Sequence, residues 1–129
     1  MSLRSPLGRV LGLGSARSGS HHWWSQRVSA VALVPLTIWF LVSMLALGTA
    51  DFPTVSAFLA KPFNGFLCVL LVVSVAYHSY LGANVILEDY VHTPAIKIAG
   101  LLALRFAHVL AGGAAIFAIL RIVFGNHLS

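Results

Sequence analysis

The 129-residue sequence has few charged side chains: eight Lys and Arg and three Asp and Glu, together 9% of the chain. A water-soluble domain usually carries about 25% charged residues. Hydrophobic residues make up 59% of the sequence, and they form long uncharged runs rather than the amphipathic stripes of a soluble helix. The scarcity of charge therefore excludes an ordinary soluble fold and indicates an integral membrane protein.

Other absences narrow the function. The single cysteine, Cys68, allows no intrachain disulfide and is expected to be a small buried apolar residue. No Cys-x-x-Cys-His motif is present, so any haem would be bound non-covalently. No glycine-rich phosphate loop is present, so a nucleotide or flavin domain is not expected. The placement of the eight basic residues around the apolar runs is typical of membrane orientation, not of a nucleic-acid surface.

Three apolar runs are each long enough to cross a bilayer, at about 28–48, 63–87 and 98–124. About 20 apolar residues span the ~30 Å hydrocarbon core. Because a spanning segment must satisfy its backbone hydrogen bonds internally, all three runs are predicted to be helices. The predicted fold class is all-α, with residues 1–27 as an N-terminal arm and residues 28–129 as a transmembrane domain of three helices.

The basic residues are divided unequally between the two sides of the membrane. One side carries Arg4, Arg9, Arg17, Arg27 and Lys97, and the other carries Lys61 and Arg121. The positive-inside rule then predicts a cytoplasmic N-terminus and a periplasmic C-terminus. We expect a bacterial inner (plasma) membrane. A mitochondrial inner membrane is the alternative, since an arm rich in Gly, Ser and Arg also resembles a transit peptide.

One histidine lies inside the second apolar run, in the stretch AYHSYLGANVILEDYVH. His78 precedes Leu87 by nine residues, about 14 Å along a helix, which places it near the middle of the bilayer. An ionisable residue at that depth is a candidate functional residue. A neutral imidazole is also a standard axial ligand of haem iron. The alternative is a histidine that only hydrogen-bonds to a neighbouring helix.

The spacing that follows His78 extends the candidate site. Gly82 and Asp89 come four and eleven residues later, so all three residues share one helix face. The glycine would let a flat macrocycle approach, although close helix packing explains it equally simply. Asp89 and Tyr90 lie about 16 Å away, at the cytoplasmic helix end. There a phenol can donate to a quinone carbonyl and a carboxylate can relay protons; an aromatic-belt tyrosine and a solvated acid are the alternative.

Further candidates lie on the first and third runs. Arg27 precedes the first predicted helix and could pair with a haem propionate or a lipid phosphate, with His22 beside it. A membrane-anchoring role is the alternative. His108 is level with His78 if the third helix enters the membrane at its first residue. It is one turn deep if the helix enters at Arg105, which is hard to place in lipid. We favour entry at Arg105. Entry at the first residue of the run would allow a self-contained cytochrome b with His78 and His108 as its ligands.

The stretch HSYLGANVILEDYV resembles the second-helix motif of the succinate dehydrogenase hydrophobic membrane anchor subunit, the D subunit of respiratory complex II. That motif is a His, a Gly four residues later, and Asp-Tyr eleven and twelve residues after the His. The stretch GLGSARSGSHHWWSQRVSAVALVPL is similar to the alphaproteobacterial form. Residues Gly82–Asn84 lack the arginine of the Gly-x-Arg-His element that is typical of the companion C subunit, which favours the D subunit.

The resemblance implies roles and partners. His78 would be one axial ligand of a haem b, and a histidine of the C subunit would be the other. Tyr90 and Asp89 would belong to a ubiquinone site, and Arg27 would face a haem propionate. The partners would be a cytochrome b-type C anchor subunit, an iron–sulfur subunit, a flavoprotein subunit and membrane lipid, but no nucleic acid. A small transporter or a structural membrane protein without redox chemistry is the remaining alternative, which leaves the shared face of His78, Gly82 and Asp89 unexplained.

Overall fold

The computed structural model describes residues 17–125, and these residues are almost entirely helical. The helices are α1 (Arg17–Leu47), α2 (Phe52–Leu59), α3 (Pro62–Tyr90) and α4 (Pro94–Gly125). Three candidate membrane spans lie within α1, α3 and α4, each long and apolar enough to cross a bilayer. The predicted all-α fold with three transmembrane helices is confirmed.

Helix α1 begins at Arg17, not at residue 28 as the apolar run suggested. Residues 17–27, which precede the run and are mostly polar, contain no proline. They therefore continue the same helix. At 31 residues, α1 is about 46 Å long, which exceeds the ~30 Å hydrocarbon core. Arg27 therefore lies inside α1 and not ahead of it, which corrects the position expected from the sequence.

Helix α2 lies in the connection that the sequence analysis left without an element. Asp51 caps its N-terminus, where the side chain accepts a hydrogen bond of 2.9 Å from the backbone N–H of Thr54. Pro53 occupies the first turn, where a missing N–H carries no penalty. The ring of Phe58 stacks on that of Trp39 at 5.9 Å between centroids. The ring stack joins α2 to α1, and α2 also packs on α3 and α4.

Helix α3 is the central element, because both α1 and α4 pack along it. Small residues allow α3 and α4 to approach closely. A methyl group added at Gly65, Gly100 or Gly112 would lie within 3.5 Å of Val123, Leu87 or Ala76, respectively. These three pairs establish an antiparallel register along the whole contact. Small residues such as Gly112 therefore allow close helix packing here.

The helices bury little of their apolar surface against each other. Among the described residues, the buried hydrophobic side chains are those of Cys68, Leu81 and Val123. Cys68 is buried, as expected from its position in an apolar run. Most large apolar side chains point away from the three-helix layer, which is the arrangement required when lipid or partner subunits surround the helices.

Candidate functional site

His78 lies at the contact between α1 and α3. Its Nδ1 is 3.0 Å from the hydroxyl of Ser29, which is 7% exposed. The same hydroxyl donates a 3.0 Å hydrogen bond to the backbone carbonyl of Gln26, three residues earlier in α1. His78 is twelve residues, about 18 Å, from the end of α3 at Tyr90. The imidazole therefore sits well inside the span, as the sequence predicted.

The two contacts of the Ser29 hydroxyl are compatible with a proton on Nδ1 of His78. The hydroxyl supplies one hydrogen, and Ser29 can donate it to the carbonyl of Gln26. In that arrangement Nδ1–H of His78 donates to the Ser29 oxygen; the tautomer of the ring decides between this direction and its reverse. In a neutral imidazole the other nitrogen, Nε2, then carries a free lone pair. The tautomer with its proton on Nδ1 is the one that binding a metal through Nε2 requires.

Gly82 lies one turn from His78 and also faces α1. A methyl group at this position would be 3.7 Å from Nε2 of Gln26, an ordinary contact distance. Close packing against α1 accounts for a small residue here, and the role of Gly82 beside a macrocycle stays a prediction. The Oε1 atom of Gln26 is buried and has no hydrogen-bond partner among the described residues.

His108 lies level with His78, the arrangement expected if the third helix enters the membrane at its first residue; the depth of His108 in a membrane stays a prediction. Its Nε2 is 3.1 Å from the hydroxyl of Ser79, the residue next to His78. The reason is that α4 begins at Pro94 and continues unbroken through Arg105. The expected membrane surface at Arg105 therefore does not coincide with a helix end.

Both ring nitrogens of His108 are engaged within the chain. Its Nδ1–H donates to the backbone carbonyl of Leu104 at 2.9 Å, so a neutral ring accepts at Nε2 from Ser79. The carbonyl of Ala76, at 3.2 Å from the Ser79 hydroxyl, is a second acceptor for the same hydrogen. The edge of the ring also packs on Tyr80, with 5.8 Å between centroids. Unlike His78, His108 has no ring nitrogen free for iron.

Two open grooves flank α3. The groove between α3 and α4 has a volume of about 420 Å³ and is almost wholly apolar, with Arg105, His108 and Tyr80 among its lining residues. The groove between α1 and α3, of about 400 Å³, contains Ser29 and Trp24. Each groove is open along its length. Both are therefore places where another molecule can contact the central helix.

The remaining candidates lie towards the cytoplasmic end predicted from charge. Asp89 and Tyr90 are in the last turn of α3, and Tyr90 is 78% exposed. Neither side chain has a hydrogen-bond partner within the described part of the chain. The guanidinium of Arg27 lies 4.7 Å from the centroid of the Trp23 ring, in a cation–π contact. His22 is half-buried. Tyr90 is about 18 Å along α3 from His78, so the structure does not bring these two side chains together.

Sequence reasoning missed Ser29 and Ser79, the hydroxyls that contact the two histidines. A serine inside an apolar run is a visible signal, because its hydroxyl needs a partner in a membrane. Its partner on another helix could not be identified from spacing within one helix.

The chain is similar to known proteins over most of its length. The model of the succinate dehydrogenase/fumarate reductase transmembrane subunit family matches residues 1–112. The succinate dehydrogenase hydrophobic membrane anchor subunit of Rickettsia bellii is 32% identical over 107 residues, covering 83% of this chain and 86% of the relative. The subunit of the same name from Paracoccus denitrificans is 31% identical over 115 residues, covering 88% of each chain. The succinate dehydrogenase membrane anchor subunit of Reclinomonas americana is 36% identical over 92 residues, covering 69% of this chain and 77% of the relative. No solved structure matches the chain.

Proposed function

The chain belongs to the succinate dehydrogenase/fumarate reductase transmembrane subunit family, and from this premise we propose that it binds a haem b through His78 and completes a ubiquinone site with Tyr90 and Asp89. As a multi-pass membrane anchor subunit of succinate dehydrogenase it works with catalytic partner subunits. The proposal concerns what the anchor contributes to electron transfer between those subunits and the membrane.

The free Nε2 of His78 carries the haem proposal. With an Nδ1–H bond to Ser29, whose oxygen lies 3.0 Å from Nδ1, this nitrogen would be an unprotonated donor, and neutral imidazole is a standard haem ligand. His78 is half-buried rather than enclosed, so the face of α3 that carries it is reachable from outside the chain. From this chain His78 would hold the haem iron, and a histidine of the C anchor subunit would hold it from the partner. This donor set fits a haem shared between two membrane subunits.

A bound haem b would supply one-electron redox chemistry within the membrane. The chain's own part is to present Nε2 of His78 and to exclude water with the apolar side chains around it. Arg27 lies two residues from Ser29 in α1, about 3 Å closer to the cytoplasmic end. It is exposed, and its guanidinium would pair with a haem propionate; His22, more than one turn earlier, would contribute to the same pocket.

Tyr90 and Asp89 are proposed to form this chain's part of the quinone site. The Tyr90 phenol is exposed at the helix end, where it would donate a hydrogen bond to a ubiquinone carbonyl. The adjacent carboxylate of Asp89 is also exposed and would pass protons from the aqueous side. About 18 Å separates Tyr90 from His78 along α3, so the two sites are distinct.

The division of basic residues supports an N-terminus in the cytoplasm and a C-terminus in the periplasm of a bacterial inner membrane. The flavoprotein and iron–sulfur subunits would then dock on the cytoplasmic side, next to Tyr90. Electrons from succinate would reach ubiquinone there. This chain would carry no succinate chemistry itself.

The haem proposal is tested with His78→Ala and the control His108→Ala in the purified four-subunit complex. We expect the first variant to lose or shift the reduced b-type absorption band, because it removes Nε2. The second should keep the band, because the nitrogens of His108 are engaged within the chain. An unaltered band in His78→Ala would refute the ligand assignment. A haem bound by the chain alone and lost in both variants would indicate the self-contained cytochrome b.

A further inference from the structure

We propose that Ser29 is a positioning residue for His78: it accepts the Nδ1–H hydrogen bond, fixes the ring and keeps Nε2 deprotonated towards iron. This inference rests on the proposed haem-binding role of His78. It adds a residue on a different helix, α1, to the haem site. It also assigns a role to a buried polar side chain within an apolar span.

Ser29 is placed where it can accept a hydrogen bond from His78. Its hydroxyl oxygen lies 3.0 Å from the backbone carbonyl of Gln26 in the same helix and 3.0 Å from Nδ1 of His78 on α3. When the hydroxyl donates to Gln26, its lone pairs are available to Nδ1–H of His78. Without this acceptor, an imidazole can carry its proton on either nitrogen. The alternative tautomer would place the proton on Nε2 and block coordination.

The hydrogen bond also affects the electronic properties of the ligand. A hydrogen bond from the distal N–H of a coordinating imidazole makes the coordinating nitrogen more basic and fixes the ring plane. A more basic nitrogen stabilises the oxidised metal more than the reduced one. Loss of the Ser29 acceptor should therefore raise the midpoint potential of the haem. A serine that served only to join α1 to α3 would leave both the potential and the ring orientation unchanged.

The test compares Ser29→Ala, Ser29→Thr and the control Ser43→Ala in the purified four-subunit complex. Ser43 is half-buried on the same helix, and no hydrogen bond joins it to His78. Ser29→Thr keeps a hydroxyl that can bond to a preceding carbonyl, and Ser29 lines the groove between α1 and α3. Three properties are measured: the rate of haem transfer to apomyoglobin, the midpoint potential and the electron paramagnetic resonance spectrum of the ferric haem.

For Ser29→Ala we expect roughly 10- to 100-fold weaker haem retention, a higher midpoint potential and altered resonance positions. Ser29→Thr and Ser43→Ala should match the unmodified complex in all three. If the alanine variant fails to assemble, Ser29→Cys provides a similar volume with a weaker acceptor, and it should shift the potential in the same direction. Unchanged potential and spectrum in the assembled alanine or cysteine variant would overturn the proposal.

This result is separable from that of the haem proposal itself. If His78→Ala keeps an unaltered haem, the ligand assignment fails and Ser29 loses its role with it. If haem depends on His78 but is indifferent to Ser29, only the positioning role fails.

Discussion

Replacing Gly65 with alanine should weaken the junction where α2, α3 and α4 meet. The added methyl carbon would lie 2.5 Å from Cγ2 of Val123 and 3.0 Å from the backbone carbonyl oxygen of Leu59. Val123 is buried, so its side chain has little room to move. The carbonyl of Leu59 belongs to the last turn of α2 and can shift only with the helix. The chain must therefore separate α3 from both neighbours at this point.

The expected size of the effect follows from two opposed contributions. Overpacking a close contact costs about 1–3 kcal/mol, whereas exchanging glycine for alanine in a helix gains up to about 1 kcal/mol. We therefore expect a net loss of about 1–2 kcal/mol. The control is Gly113→Ala in α4, where a methyl group would meet nothing within 4 Å. That variant keeps the propensity gain without the clash and should be no less stable than the unmodified chain.

The assay is the thermal midpoint of the purified complex in detergent, followed by loss of the assembled peak in size-exclusion chromatography. We expect Gly65→Ala to melt roughly 2–8 °C lower, using about 2–4 °C per kcal/mol. Adding Val123→Ala removes the nearest clashing atom and should recover part of the loss, because the contact with the Leu59 carbonyl remains. A midpoint for Gly65→Ala equal to or above that of Gly113→Ala would refute this account of the packing.

Three further predictions concern the helix ends. Tyr90→Phe should lower quinone reduction about fivefold, the equivalent of one hydrogen bond of ~1 kcal/mol, while succinate oxidation by an artificial dye stays unchanged; equal loss of both would indicate an assembly role. The backbone N–H and hydroxyl of Thr54 hold the pKa of Asp51 below its ordinary value. The cap of α2 should therefore be fully present above the ordinary pKa of an aspartate and be lost as the pH falls through the lowered pKa. Hydrogen exchange of the α2 amides measured against pH tests this, and Asp51→Asn should abolish the pH dependence while keeping a cap. Trp39→Ala should speed hydrogen exchange in α2 relative to α3, because it removes the stack on Phe58; unchanged α2 exchange would show that other contacts hold the helix.

The sequence predicted the three spans because their apolar content and length dominate membrane folding. It misjudged helix ends for the same reason. The apolar run begins near residue 28, yet α1 already begins at Arg17. The reason is that helical hydrogen bonding extends beyond the hydrophobic residues. Helix α2 was missed because eight residues between two spans are too short for a clear periodic signal.

The candidate site was only partly accessible to sequence reasoning. The spacing from His78 to Asp89 and Tyr90 lies within one helix, so its geometry follows from the helical repeat. The contact between His78 and Ser29 spans 49 positions of the chain and depends on how α1 registers against α3. That register is a property of packing, as is the level of His108, so neither could be derived from one helix at a time.

The open arrangement of the three spans has a consequence for the life of the chain in a cell. Arg105 is exposed within α4 and has no carboxylate partner among the described residues, and an arginine at the centre of a bilayer costs about 2.5–3.5 kcal/mol. Unassembled copies would hold this charge against lipid, and a partner subunit that covers Arg105 would relieve the cost. Quality-control proteases act on such incompletely buried chains. The amount of this subunit should therefore follow the supply of its partners more closely than its own rate of synthesis.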